Sequence, residues 1–86
     1  MPYVSFFFGI VIRMFHNEHN PPHFHAEYQG QRGVFNFDGE MIRGSMKSRR
    51  AIKLTREWAE LRREELVKNW DNAAQGKEIG KIDPLD

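Results

Sequence analysis

His23, His25 and Glu27 stand at alternate positions in the segment Pro21-Pro22-His23-Phe24-His25-Ala26-Glu27-Tyr28. In an extended chain, successive side chains point to opposite faces. The two imidazoles and the carboxylate then share one face, and Phe24, Ala26 and Tyr28 share the other. Imidazole and carboxylate are the groups that exchange protons near neutral pH, and a guanidinium beside them can hold a phosphate. Histidines, a carboxylate and arginines on one surface suit phosphoryl chemistry of the kind a metal-independent ribonuclease performs. In that reading His25 is the leading general base or acid, His23 and Glu27 assist, and Arg13, Arg32 and Arg43 bind phosphate. The plainer alternative is a polar solvent face on which Glu27 and Arg32 form an ordinary cross-strand pair.

The same residues admit a metal reading. His-x-His on a strand sets both rings on one side, and Glu27 could complete a two-histidine, one-carboxylate set. His16 and His19 in the preceding segment could add a ligand. Two features oppose it. From His23 to Glu27 the strand advances roughly 13 Å at about 3.3 Å per residue, and the neighbouring arginines repel a cation. A metal-binding protein therefore stands third among the readings, and no metal ligand or cofactor is assigned.

The elements that must position these groups follow from pattern and punctuation. Ser5 to Phe15 reads as a first strand, with Phe6, Phe8, Ile10, Ile12 and Met14 on one face and Phe7, Gly9, Val11, Arg13 and Phe15 on the other. His16-Asn17-Glu18-His19-Asn20-Pro21-Pro22 is a loop. His23 to Gln29 is a second strand, Gln29-Gly30 a tight turn, and Gln31 to Phe37 a third strand. Asp38-Gly39 signals a type I′ hairpin turn, and Glu40 to Gly44 a short fourth strand. With the apolar faces in coincidence, Met14 opposes Phe24, Ile12 opposes Ala26 and Arg13 opposes His25. Across the next turn Phe35 opposes Phe24, Val34 opposes His25 and Arg32 opposes Glu27. Beyond Asp38-Gly39, Ile42 opposes Phe35 and Arg43 opposes Val34. The open face then gathers Arg13, His23, His25, Glu27, Arg32, Asn36 and Arg43. A single bulge would invert every residue past it.

Ser48 to about Ala74 reads as helix, with Ser48 as N-cap and Gly76 as the stop. Ala51, Leu54, Trp58 and Leu61 form one apolar stripe. Leu66, Trp70 and Ala73 form another, rotated by roughly 100° at 100° per residue. The segment must bend or break near residues 62–65, or present its second stripe to another surface. Trp58 and Trp70 are expected in packing. Lys47, Arg49, Arg50 and Lys53 crowd the first turns, where the helix dipole disfavours cations. A docked anion would make sense of them, so Arg49 and Arg50 join the candidate phosphate contacts. The alternative is a solvated face balanced by Glu57, Glu60 and Glu64. Residues 77–86 carry Ile79, Ile82 and Leu85 as anchors and are expected to be extended and partly ordered.

Composition bounds the rest. The chain has 86 residues, so one domain spanning 1–86 is expected: strands over about 5–44, a helical segment over about 48–75 and a tail over 77–86. Hydrophobic residues make up 40% and aromatic residues 13%, which supports a folded core rather than disorder. A net charge of +1 excludes a nucleic-acid binder that works by bulk charge, so any electrostatic footprint must be local. With no cysteine, disulfide frameworks, thiol nucleophiles and cysteine-based zinc sites drop out. The cytoplasm is the expected location. The run from Phe6 to Ile12 is too short to span a bilayer and lacks a basic lead-in, so neither a membrane partner nor a signal peptide is expected.

The run FFGIVIRMFHNEHNPPHFHAEY, from Phe7 through Tyr28, resembles a family of small prokaryotic proteins classed as a domain of unknown function. The likeness continues through Gly39–Gly44 and the helix bearing Trp58, Glu65-Leu66 and Trp70. It implies a short β-meander followed by helix in a bacterial or archaeal cytosolic setting. It also implies a gene beside that of another small protein, in a toxin–antitoxin-like arrangement. No catalytic residue follows from it. The fold expected is α+β: a three- to four-stranded antiparallel meander followed by a C-terminal helical segment, one bent helix or two, packed on one sheet face. The function expected is a toxin–antitoxin-like component that acts on or binds RNA or another phosphate-bearing partner. The alternative is a non-catalytic interaction module that pairs with its neighbour-encoded partner or with a second copy as a homo-oligomer.

Overall fold

Phe8 and Gly9 fold the opening apolar run back on itself, with φ of +50° and +81°. Two consecutive residues at positive φ make the tight turn whose twist matches a β-hairpin. The structure is a computed structural model and describes residues 3–86. Its strands are β1 (Tyr3–Phe7), β2 (Ile10–Arg13), β3 (His23–Tyr28), β4 (Gln31–Asn36) and β5 (Met41–Gly44). They form one antiparallel sheet in chain order. The helices α1 (Arg49–Leu61) and α2 (Arg63–Ala74) follow.

The sheet therefore has five strands, one more than the largest number expected from the sequence. The single strand read over Ser5 to Phe15 is a hairpin. The run is apolar on both sides of Gly9, so no change of pattern marks the turn. Parity changes there as well. Val4, Phe7, Ile10, Ile12 and Met14 are buried in the core, while Phe6 and Phe8 are exposed.

The inner registers agree with the expectation. Ile12 pairs with Ala26 and Arg13 with His25. Phe24 pairs with Phe35, His25 with Val34 and Glu27 with Arg32. Gln29-Gly30 is the two-residue turn, with φ of +48° and +79°. The last hairpin differs. Only Gly39 takes a positive φ there, +85°, and the Asn36 N–H reaches past the turn to the Glu40 carbonyl at 2.9 Å. The extra loop residue replaces the expected type I′ turn. A bulge then sets Met41, not Ile42, opposite Phe35, while Arg43 still faces Val34.

One face of the sheet carries the core. Phe24 stacks on Phe35 at 5.7 Å between ring centroids and meets Trp58 edge-on at 5.4 Å, and Phe7 stacks on Trp58 at 5.5 Å. The Ser48 side chain caps α1 by accepting from the Ala51 N–H at 3.1 Å. The helical segment does break, at Arg62 (φ −108°, ψ 23°). Ala51, Thr55, Trp58 and Ala59 form the buried stripe of α1. Leu61, assigned to that stripe from spacing, is 58% exposed, because the buried stripe runs through Thr55 and Ala59 and leaves Leu61 on the flank of the helix.

The second stripe meets the tail and the sheet end. Asn69 is buried and exchanges two hydrogen bonds with the Gly80 backbone, at 2.8 and 3.1 Å. The Ile82 N–H donates to the Val4 carbonyl at 2.8 Å, so the tail lies along the outer edge of β1. Trp58 Nε1 donates to the Asp83 carbonyl at 2.9 Å. No helix among the described residues is long and apolar enough to cross a membrane.

Candidate functional site on the open sheet face

The loop between β2 and β3 carries an acid over the end of the sheet. Asn17 takes a left-handed conformation, φ +61°, which asparagine tolerates better than most residues. Pro21-Pro22 then returns the chain stiffly into β3. The result brings Glu18 onto the histidines of that strand. Its Oε1 lies 2.7 Å from His25 Nε2 and 3.5 Å from His23 Nε2. Pro21 contributes a further contact, since His23 Nδ1 lies 2.8 Å from its carbonyl oxygen. A carbonyl can only accept, so His23 carries its proton on Nδ1 and turns Nε2 toward Glu18.

Aromatic walls hold the rings. His25 meets Phe15 edge-on at 4.8 Å, His23 meets His25 at 5.3 Å, and Trp70 of α2 closes on His23 at 5.3 Å. The three polar side chains are partly buried, 12% exposed for His23, 27% for Glu18 and 31% for His25. Burial alone would raise the Glu18 carboxyl. The hydrogen bond from His25 and the charges of His23 and His25 outweigh it and hold the group below its usual range.

Glu27 has different neighbours. Its carboxylate lies 3.2 Å from Arg13 Nε and 3.9 Å from Arg32 Nε. It sits four pairs along the strand from His23, between two arginines. A hollow of about 370 Å³ opens beside it on the solvent face. Phe15, His25, Glu27, Arg32 and Arg43 line it. Gly33 and Gly44, paired across β4 and β5, leave room for it. His25, Arg32 and Arg43 thus share one surface. Arg49 and Arg50 do not join them. Arg50 lies over the Phe8 ring at 5.8 Å, at the end of the sheet opposite the Glu18 loop. His16 is also apart, donating to the Lys77 carbonyl at 2.8 Å.

Glu18 is the residue that sequence reasoning missed. Loops have no side-chain period, so nothing in the pattern sets Glu18 against His25. The signal available was the proline pair, which forces the only acid of that loop back toward the strand it precedes.

The arrangement has two chemical capacities. A carboxylate on one imidazole nitrogen fixes the tautomer and frees the other nitrogen for proton transfer. Two imidazole nitrogens and a carboxylate oxygen, all within 4.8 Å of one another, can also surround a cation.

No curated protein and no solved structure gives a significant match to the chain. Residues 9–71, from the first hairpin turn through most of α2, match the model of the family described as Domain of unknown function (DUF4160), and the chain belongs to that family.

Proposed function

We propose that the open sheet face binds RNA through its phosphates and that His25 transfers a proton there, in a component of a toxin–antitoxin-like pair. The supporting observation is the 2.7 Å contact of Glu18 with His25 on the rim of a hollow that Arg32 and Arg43 also line. Glu18 holds the Nε2 proton, which leaves Nδ1 to accept one. In the proposed step Nδ1 takes the proton of a ribose 2′-hydroxyl and the 2′-oxygen attacks phosphorus. The bond to the 5′-oxygen breaks, and that oxygen takes a proton from solvent. Arg32 and Arg43 offset the charge that builds on the phosphoryl oxygens. Glu27 keeps Arg13 and Arg32 in place. Arg49 and Arg50 would meet only a longer strand that wraps the far end of the sheet.

The test is induced expression in a bacterial host, wild type beside His25→Ala, with total RNA examined. Growth arrest with RNA cleavage that disappears in the variant supports the reading. Intact RNA and normal growth in both overturn it.

The exposed aromatic group of β1 and its turn favours a second reading. Tyr3, Phe6 and Phe8 are 44%, 55% and 47% exposed. Such a group suits a non-catalytic module that docks a neighbour-encoded protein or a second copy of the chain. Size-exclusion chromatography with light scattering, alone and with the neighbouring gene product, tests it. A stable complex that covers His23 and His25 would favour this reading over the first.

A further inference from the structure

The hydrogen bond to Pro21 has a consequence for what lies between His23 and Glu18. With its proton on Nδ1, a neutral His23 directs the lone pair of Nε2 at a carboxylate oxygen 3.5 Å away. That approach is relieved in one of two ways: a proton on Nε2, which makes His23 the cation of an ion pair with Glu18, or a metal ion held between the two atoms. His25 Nε2 meets the same oxygen at 2.7 Å. Three donor atoms from three side chains therefore converge on one point, two of them imidazole nitrogens.

We propose that Glu18, His23 and His25 form a binding site for a divalent first-row transition-metal ion, with zinc as its simplest occupant. Metal–nitrogen bonds near 2.1 Å and metal–oxygen bonds near 2.0 Å place neighbouring ligand atoms about 3.3–3.5 Å apart in tetrahedral geometry. The His23–Glu18 separation already has that value. The His25–Glu18 contact must open by less than about 1 Å, which a loop glutamate can supply. Ligating histidines characteristically donate their second ring N–H to a carbonyl or carboxylate, and His23 does so to Pro21. Of the arginines that argue against a cation, Arg13 is paired with Glu27 at 3.2 Å, and Arg32 is 82% exposed, where solvent screens its charge. A hollow of about 290 Å³ bordered by Glu18, Asn20 and Trp70 gives an approach from solvent and room for a fourth ligand.

The donor set selects the ion class. Two nitrogens and one oxygen suit zinc, nickel or copper, whereas magnesium and calcium prefer oxygen alone. The site stands on its ligands and does not depend on RNA binding. An ion bound to His25 Nε2 would leave the ring proton on Nδ1, so metal occupancy and the proton transfer proposed above are alternatives.

The experiment uses the whole chain, stripped with a chelator and titrated with zinc against a chromophoric competitor. One equivalent of zinc binds, and magnesium does not displace it. Glu18→Gln and His23→Asn each weaken zinc by at least about tenfold, while His19→Ala does not. Circular dichroism establishes that each variant is folded. A second measurement needs no variant: zinc shifts the imidazole ¹⁵N resonances of His23 and His25 in the wild-type protein and leaves those of His16 and His19 in place. Zinc affinity equal in wild type and a folded His23→Asn, or shifts confined to His16 and His19, would overturn the site. So would the absence of any zinc binding. Because these readouts contain no RNA, their failure leaves the RNA proposal to its own test.

Discussion

The imidazole of His23 meets the indole of Trp70 edge-on, with ring centroids 5.3 Å apart. Trp70 also meets Phe37 edge-on at 6.1 Å. One residue of α2 therefore wedges between the end of the core and the candidate site. The helix that completes the fold is also the wall that keeps His23 turned toward Glu18.

Replacing Trp70 by alanine should accordingly act on both. Partial burial puts the stability loss toward the low end for large-to-small core changes, about 2–3 kcal/mol. Trp70→Phe should keep most of the stability. Urea unfolding checks the first effect through a lower midpoint at unchanged slope. The second is read as a change in the His23 imidazole resonance of the folded variant.

Two glycines give a sharper contrast. Gly44 has φ +114°, and a Cβ placed on it would lie 2.6 Å from the Arg32 carbonyl oxygen and 2.7 Å from Gly33 Cα. Both obstacles are backbone, so strands β4 and β5 would have to separate. Gly30 has φ +79° but open space around it. Gly30→Ala should cost about 1 kcal/mol, the penalty of a left-handed backbone alone. Gly44→Ala should cost at least twice that and disturb the hollow beside His25. Thermal unfolding of the two variants side by side decides the matter. Equal losses would mean that the close approach of Gly44 is not a constraint.

What the sequence made legible, and what it hid, follows from the kind of signal each element carries. Alternation fixed the register of β2, β3 and β4, because a slip of one residue would have put His25 in the core and Phe24 in water. The arginines opposite His25 and Glu27 follow from that register. The change of helix face after Leu61 called for a bend or break near residues 62–65 or for a second surface, and a break occurs at Arg62. The hairpin at Phe8-Gly9 was hidden because both of its arms are apolar and only Gly9 punctuates them. Asn69 was hidden because its partner is the backbone of Gly80, which no side-chain pattern reports. Glu18 was hidden for the same reason as most loop groups: its position depends on backbone turns at Asn17 and Pro21-Pro22 and on no periodic face.

The depressed Glu18 carboxyl has a signed consequence for stability in the chelator-treated protein. Its usual value is 4.5, and the folded state holds it lower. A group whose folded value is depressed contributes stability that is fully present above the unfolded value and is lost as pH falls through the folded one. Wild type should therefore be more stable than Glu18→Gln at neutral pH, and the difference should shrink below pH 4.5 as the carboxylate takes up its proton. Urea unfolding of both proteins at pH 7 and at about pH 3 measures it. A difference that stays constant, or grows in acid, would contradict the ion pairing of Glu18 with the two histidines.

Arg32 and Arg13 differ in what they must give up to meet a phosphate. Arg32 has its side chain 82% exposed and only a 3.9 Å approach to Glu27, so it can turn outward at little cost. Arg13 is held at 3.2 Å by the same carboxylate and makes a further interaction, so it has more to lose. If RNA binds the open face, Arg32→Ala and Arg43→Ala should each weaken it and reduce the slope of log affinity against log salt by about 0.7, one phosphate contact on a single strand. Arg50→Ala should leave a short oligonucleotide unaffected, since Arg50 lies over Phe8 at the far end of the sheet. Fluorescence anisotropy with a labelled short RNA over a salt series provides the reading. An unchanged slope in Arg32→Ala, with a loss in Arg50→Ala, would move the nucleic-acid surface to the start of α1.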